Sequence, residues 1–369
     1  MTDIPLSRQQ DRRWMRAALM LACRGEGRVA PNPAVGCVII RDGVLVGQGR
    51  TADGGRPHAE TIALAEAGGK ARGATAYVTL EPCAHHGQTP PCADALIAAG
   101  VARVVVAAGD PDPRVAGEGL RRLTEAGIRV DEGVLTREAA AGLAGYFSCR
   151  RQGRPLVTVK IATTLDGRIA LADGTSQWIT GPLARRWVHE MRSRHDAVLT
   201  ASGTLNADDP ELTCRLDGVG HQPVRVVVAS HDLPGEDTAL FQTLDKGPVW
   251  CFGPEDTLAS LPQGFKGLAV ATDADGRPDL KAVMARLADE GITAVMVEAG
   301  GRFAASLIKA GLVDRLVWMR SSSVIGGDGL ASLAELGLET LADGALFERK
   351  TLSSLGDDAI EVLHRKTGA

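Results

Sequence analysis

A polar, basic segment, Arg150-Arg151-Gln152-Gly153-Arg154-Pro155, interrupts a chain of 369 residues that otherwise alternates apolar strands with helical patterns. Proline lacks a backbone donor and biases the residue before it towards extended conformation, so no helix runs through this break. An apolar strand, Leu156 to Ala162, starts afresh immediately after it. The spacing predicts two domains, 1–150 and 151–369, each long enough to bury a core of its own. Alternation of helices and strands on both sides puts each of them in the α/β class.

On the N-terminal side, Ser7 is placed to cap a helix, with Gln10 in the capping-box position. Trp14, Ala18, Leu21 and Ala22 recur at helical spacing, and Gly25 and Gly27 end the helix. Val35 to Ile40 reads as a strand, Asp42-Gly43 as a hairpin turn and Val44 to Val46 as the return. A helix over His58 to Ala67, a strand over Ala74 to Leu80, a helix over Cys92 to Ala99 and a strand over Arg103 to Ala108 follow. Beyond the break the candidate strands are Val224 to Ala229, Val249 to Phe252, Leu268 to Ala271, Thr293 to Val297 and Arg315 to Met319. Helices are predicted at about 182–194, 280–290 and 302–310, and the glycine-rich stretch 326–329 reads as a loop.

Composition removes several classes of function. The formal net charge is −4 and aromatic residues make up 4%, which opposes a nucleic-acid binder built on basic grooves and stacking platforms. No run approaches the roughly 18 apolar residues that span a bilayer, so no membrane partner is expected. The start, MTDIPLSRQQDRRW, has no apolar core of a signal peptide. Seven cysteines, an odd number spread over a long chain, fit a reducing cytoplasm, where thiols are unpaired, metal-bound or catalytic.

The chemistry concentrates in His58-Ala59-Glu60, Pro82-Cys83 and Cys92. One imidazole and two thiolates are good zinc ligands, and three protein ligands leave the fourth tetrahedral position open. A water there has its pKa lowered towards ~7, giving a nucleophile at neutral pH. Glu60, two residues after His58, is placed to move protons without ligating the metal. The pattern HxE followed by PCxxC marks zinc deaminases. This chain has the HxE and the PC but separates its cysteines by eight residues instead of two. Two alternatives stay open: inert core residues, and a structural zinc site completed by His85 or His86.

These residues resemble a known family. Glu81-Pro82-Cys83-Ala84-His85-His86-Gly87-Gln88-Thr89-Pro90-Pro91-Cys92 is similar to the zinc loop of the bifunctional deaminase/reductase family of riboflavin biosynthesis, and Pro31-Asn32-Pro33-Ala34-Val35-Gly36 to its substrate-binding turn. The resemblance implies that His58, Cys83 and Cys92 bind zinc, that Glu60 is the proton shuttle, and that Asn32 and His85 contact the pyrimidine. Members of the family often carry His where this chain has Thr51, and Lys or Arg where it has Gln88, near the ribose phosphate. Either Arg50 or Arg56 substitutes, or the phosphate is held less tightly.

No GxGxxG follows the first strand of the second half, so a standard dinucleotide-binding turn is not expected. Strand Thr293 to Val297 instead leads through Glu298-Ala299-Gly300-Gly301 into a helix, a turn that lets backbone N–H groups approach a phosphate. Taken alone it is equally a tight turn. The segments 160–167, 176–180, 204–210, 212–215 and 297–300 resemble the reductase half of the same family. The resemblance implies a cytidine-deaminase-like three-layer domain followed by a dihydrofolate-reductase-like α/β domain. It places Ala162, Trp178, Thr204, Asp208, Ser230 and the turn Gly300, Gly301, Arg302, Phe303, Ala304, Ala305 and Ser306 at NADPH. It places Lys160, Ser176, Arg192, Leu212, Arg215 and Glu298 at the substrate. Gly301 stands where proline is common, and Arg320-Ser321-Ser322-Ser323 replaces a more usual apolar stretch.

The expectation is a zinc- and NADPH-dependent enzyme that deaminates a phosphorylated diaminopyrimidinone and then reduces the ribosyl group of the product to ribityl. Its partners are small phosphorylated pyrimidines, with homo-oligomerisation left open. The alternatives are a nucleoside or nucleic-acid deaminase, a deaminase whose reductase-like domain does not turn over, and a zinc-stabilised binding module.

Overall fold

The computed structural model describes residues 6–85, 90–113 and 115–366, and the chain divides into two compact units, Met1–Gly153 and Arg154–Ala369. Gln88 and His86 lie outside the described residues. No helix of the described residues is long and apolar enough to cross a membrane.

The first unit runs α1 (Leu6–Cys23), β1 (Gly36–Arg41), β2 (Val44–Arg50), α2 (Ala59–Ala67), β3 (Thr75–Val78), α3 (Cys92–Ala99), β4 (Arg103–Val106), α4 (Glu118–Glu125), β5 (Arg129–Glu132), α5 (Thr136–Gly142) and α6 (Ala144–Gln152). Ser7 thus lies inside the first turn of α1 and not ahead of it. The strand order is β2-β1-β3-β4-β5, with β1 antiparallel to both neighbours and the remaining pairs parallel. Asp42 and Gly43 both take positive φ, as a tight hairpin with this twist requires.

Three layers follow from strand alternation. A Cβ at Gly36 would sit 1.9 Å from the Ala18 carbonyl of α1. On β2, a Cβ at Gly47 would meet Ala63 O at 2.2 Å and one at Gly49 would meet Ala59 O at 2.4 Å, both on α2. Gly49 pairs with Cys37 and Gly47 with Ile39, on the face opposite Gly36. So α1 and α2 cover opposite faces of one sheet, and the glycines let α2 lie directly on β2. That contact fixes the start of α2, where His58 and Glu60 stand.

The second unit runs β6 (Leu156–Thr163), β7 (Arg168–Ala170), α7 (Pro182–Ser193), β8 (Ala197–Ala201), α8 (Ser202–Asp208), β9 (Val224–Val228), α9 (Ala239–Gln242), β10 (Val249–Gly253), α10 (Glu255–Leu258), β11 (Phe265–Ala269), α11 (Leu280–Asp289), β12 (Ala294–Glu298), α12 (Gly301–Lys309), β13 (Arg315–Arg320), β14 (Leu330–Ala331), β15 (Phe347–Leu355) and β16 (Asp358–Arg365). Its nine-stranded sheet has the order β11-β10-β9-β8-β12-β6-β13-β16-β15. The first seven are parallel, and the terminal hairpin β15–β16 adds antiparallel strands beside β13. The strand expected over 268–271 starts earlier, at Phe265.

Alternation along β6 separates two faces. Val157, Val159 and Ile161 pack with Val283 and Leu287 of α11 and Leu307 of α12. The other face of the sheet carries Met296, packed with Val188 and Met191 of α7. Thr158 and Lys160 of β6 share this second face, and His195, just past α7, meets Thr158 Oγ1 at 3.1 Å. Lys160 is the register partner of Glu298 on β12, so the two lie side by side beneath α7.

Candidate active sites

The first site forms where two helices begin. His58 is the N-cap of α2 and Cys92 is the first residue of α3, while Cys83 lies in the loop beyond β3. His58 Nδ1 is 3.7 Å from Cys83 Sγ and 3.4 Å from Cys92 Sγ, and all three ligand atoms lie within 4.8 Å of one another. Tetrahedral zinc, with Zn–S near 2.3 Å and Zn–N near 2.0–2.1 Å, would separate N and S by about 3.6 Å. The donor set and its spacing therefore fit zinc. Among the described residues this is the one such cluster and it has three members, so His85 is not a fourth ligand.

Local electrostatics readies Cys83 for a metal, whereas the hydrogen bond with Cys83 and burial push the Cys92 thiol well above its ordinary value. The Cys92 backbone N–H, at a helix start, donates to Cys83 Sγ at 3.3 Å. Hydrogen bonding from Cys92, opposed by burial and reinforced by His58, holds the Cys83 thiol down at about 4. Glu60 is 4% exposed, and burial followed by the neighbouring Cys83 charge pushes its carboxyl up to about 7. A carboxyl poised near neutrality can both take and give a proton.

These groups open on a cleft. Asn32 and His85 line it; Asn32 Nδ2 donates to Gly55 O at 2.9 Å, and His85 Nδ1 is buried with no hydrogen-bond partner among the described residues. Thr51 braces the Asn32 turn from behind: its hydroxyl donates to Pro33 O at 2.9 Å and accepts from Val35 N at 3.0 Å. Arg50 is bonded to Thr51 O and Asp53, whereas Arg56 lines the cleft. The sequence reading missed Asp110, Asp112, Tyr146 and Arg150, which line it as well. Asp110-Pro111-Asp112-Pro113 carries only a turn signal, and nothing in α6 marks Tyr146 or Arg150 as facing a cleft.

In the second unit the sequence-predicted residues gather at the carboxyl edge of the parallel strands. Lys160 and Ala162 are on β6, Ser230 follows β9, Glu298 ends β12, and Thr204 and Asp208 belong to the helix after β8. Open parallel sheets bind ligands at this edge. Arg192 of α7 grips Glu298 in a fork, Nε to Oε1 at 2.6 Å and Nη2 to Oε2 at 3.0 Å, while its Nη1 donates to Thr213 O at 2.8 Å. Burial raises the Glu298 carboxyl, but the charge and hydrogen bonds of Arg192, helped by Lys160, bring it to about 2. Burial depresses the Lys160 ammonium.

The segment after α8 is tied to α7. Leu212 is buried with φ +57, and the Arg215 N–H donates to His189 Nδ1 at 3.3 Å while its side chain stays exposed. Ser176 Oγ donates to Asp208 Oδ1 at 3.2 Å. Trp178 is 67% exposed, with the Arg185 guanidinium 4.5 Å above its ring, so it is not a core residue. The Gly300 N–H donates to Thr204 Oγ1 at 2.9 Å, and Gly300 caps α12. A Cβ on Gly301 would lie 2.9 Å from both Ala331 O and Ser332 O. Backbone N–H groups of the first turn, Gly301 to Phe303, point out of the helix end. Ala304 and Ala305 are buried one turn further in, and Ser306 Oγ returns to Arg302 O at 3.1 Å.

Comparison with known proteins follows this division. Residues 8–108 match the cytidine and deoxycytidylate deaminase zinc-binding region, and residues 155–360 match the RibD C-terminal domain. The riboflavin biosynthesis protein RibD of Escherichia coli K12 is 43% identical over 361 residues, covering 95% of this chain and 98% of that protein. Acinetobacter baumannii RibD superposes with a TM-score of 0.88 at 37% identity, over 98% of this chain and 100% of that one. A diaminohydroxyphosphoribosylaminopyrimidine deaminase/5-amino-6-(5-phosphoribosylamino)uracil reductase from Thermotoga maritima gives 0.88 at 33% identity, with the same coverage. With both matched regions present and relatives aligned over nearly their full length, the chain belongs to the RibD family.

Proposed function

We propose that the two sites catalyse consecutive steps of riboflavin biosynthesis, the first unit as a zinc-dependent deaminase and the second as an NADPH-dependent reductase. The substrate of the first is 2,5-diamino-6-(5-phosphoribosylamino)pyrimidin-4-one, and that of the second is 5-amino-6-(5-phosphoribosylamino)uracil. The observation that carries the first assignment is the triangle of His58, Cys83 and Cys92, at zinc spacing, beside a buried carboxyl poised near 7.

In the first cleft, Asn32 and His85 hold the pyrimidine edge, His85 through Nδ1, which has no partner among the described residues. His58, Cys83 and Cys92 hold the zinc. Zinc supplies Lewis acidity that makes water a nucleophile at neutral pH. Glu60 takes the first proton that water loses and delivers it to the ring nitrogen, then carries the second, from the added hydroxyl, to the departing amine, so the carbon is left as a carbonyl. Water adds at the amine-bearing carbon and ammonia leaves, so atoms balance as a hydrolysis.

In the second unit, Gly300 to Ser306 at the start of α12, with Ala162, Trp178, Thr204, Asp208 and Ser230, hold NADPH. NADPH supplies the hydride that reduces C1′ of the open imine form. Lys160 and Glu298 lie at the ribose, with Arg192, Ser176, Leu212 and Arg215 shaping the rest of the substrate pocket. Arg192 keeps Glu298 ionised, and Lys160 is the proton donor beside it. All seven cysteines are outside disulfides, which suits catalysis in a reducing cytoplasm, where the thiolate ligands survive. The net charge of −4 gives no reason for a nucleic-acid partner.

A coupled assay on the zinc-loaded protein tests this reading, following ammonia release and NADPH absorbance together. Ammonia release should precede NADPH loss. Glu60→Gln should abolish both on the diamino substrate, with reduction restored by the pre-deaminated compound. Lys160→Ala and Glu298→Ala should slow reduction alone. Ammonia without NADPH loss would remove the reductase assignment.

A further inference from the structure

The deaminase substrate carries a phosphate on C5 of its ribose, at the opposite end of the molecule from the carbon that loses its amine. We infer that Arg150 is the residue of the first cleft that recognises this phosphate. The inference rests on the deaminase reading of the first unit and adds a specificity-determining residue to it.

Two arginines line the cleft among the described residues, Arg56 and Arg150. Arg56 precedes the zinc ligand His58 by two residues, so the backbone keeps its Cα within about 7 Å of that of His58, at the metal end. Arg150 stands on another element, α6. Its guanidinium carbon lies 5.2 Å from the centroid of the Tyr146 ring, and its Nε is 3.7 Å from Asp112 Oδ2. Tyr146 is itself anchored, donating to Asp110 Oδ1 at 3.1 Å, and Asp110 Oδ1 accepts the Asp112 N–H at 2.9 Å. The guanidinium is thus stacked and aimed before any ligand arrives, which reduces the freedom lost on binding. Its side chain is 38% exposed, while that of Asp112 is 4% exposed, so a ligand meets the cation and not the carboxylate.

Among the described residues, the rest of that wall does not offer an anion a second cation. Asp110 and Asp112 are acidic, and Glu81 accepts backbone N–H groups of Gly117 at 3.0 Å and Gly119 at 3.1 Å. Thr51 uses its hydroxyl on the backbone of the Asn32 turn, and Arg50 is bonded to Asp53. A phosphate dianion can be seated against two carboxylates only with a cation facing it. Arg150 is the group so placed, and its planar fork matches phosphate oxygens.

The test compares ammonia release from the diaminopyrimidinone ribosylamino phosphate with release from the same compound lacking the phosphate, on full-length zinc-loaded enzyme. The ratio of the two kcat/KM values should fall tenfold or more in Arg150→Ala, through KM, and should be partly restored in Arg150→Lys. If Arg150→Ala does not fold, Arg150→Gln, which keeps part of the stem and a planar polar end without the charge, should show the same loss of discrimination. An unchanged ratio, even with lower rates on both compounds, would mean that Arg150 shapes the cleft without reading phosphate, and would overturn the inference. No ammonia from either compound with the unsubstituted protein would instead overturn the deaminase reading and this inference with it.

Discussion

The first site takes its chemistry from residue types, and the second takes it from strand register. His58, Cys83 and Cys92 are soft or borderline ligands, two of them at helix starts, and bringing them within 4.8 Å of one another gives the donor set and spacing that zinc takes. Lys160, Glu298 and Arg192 are ordinary charged residues. They become a site because β6 and β12 pair in one register and α7 lies over that face of the sheet. A metal site announces itself by its ligands, whereas a hydrogen-bonded constellation exists only once the sheet is assembled.

That contrast can be broken most directly at the metal. Cys83→Ser, or removal of zinc with a chelator, should abolish ammonia release while NADPH oxidation with the pre-deaminated substrate continues; metal content and both rates measured on one sample decide it. Loss of reduction along with zinc would show that the sites are not independent. The next largest effect belongs to Arg192→Ala, which strands the Glu298 carboxylate in a buried position. Reduction should fall by about a hundredfold, and denaturant unfolding should show a loss of roughly 3–5 kcal/mol, because an uncompensated buried charge remains. A small stability change would show that water reaches Glu298.

Gly301→Ala sharpens the comparison at the cofactor end. Its Cβ meets two carbonyl oxygens at 2.9 Å, so the 331–332 segment must move off the start of α12. Overpacking of this kind costs about 1–3 kcal/mol. KM for NADPH should rise several-fold, with ammonia release unaltered. The effect with least bearing on activity at neutral pH is on acid stability. His195 is buried, with Nδ1 2.7 Å from Met191 O, and burial lowers its pKa to about 4 from an unfolded value of 6.5. Above pH 6.5 it is neutral in both states and does not affect stability. As pH falls from 6.5 to 4 the unfolded chain binds a proton that the folded chain refuses, so stability drops by an amount on the order of 3 kcal/mol. Replacing His195 with Gln should flatten that part of the stability profile; an unaltered slope would assign it to other groups.

Much of the fold was legible where local signals are strong. The Asp42-Gly43 hairpin and the limits of α3 at Cys92 and Ala99 were read from turn residues and periodicity. Strand β8, Ala197–Ala201, escaped because it follows α7 after three residues with no Gly or Pro to mark it. The hairpin β15–β16 escaped for a different reason. β15 lies at the sheet edge and is exposed over most of its length, so Phe347-Glu348-Arg349-Lys350-Thr351 shows no apolar alternation. At the sites, the zinc ligands and Glu60 stood out in the sequence as chemistry. Tyr146 and Arg150 did not, because only the packing of α6 brings that helix to the cleft, and Asp110 did not, because it lies in a loop after β4.

The pairing of Lys160 with Glu298 also makes the reductase a witness to its own folding. Side chains alternate between the faces of a sheet, so a slip of β12 by one residue would put Val297 beside Lys160 and turn Glu298 away from Arg192. A chain slipped in its second unit would keep the zinc site of the first. It would deaminate and then stall, and the ratio of NADPH consumed to ammonia released would count the correctly registered molecules in a preparation.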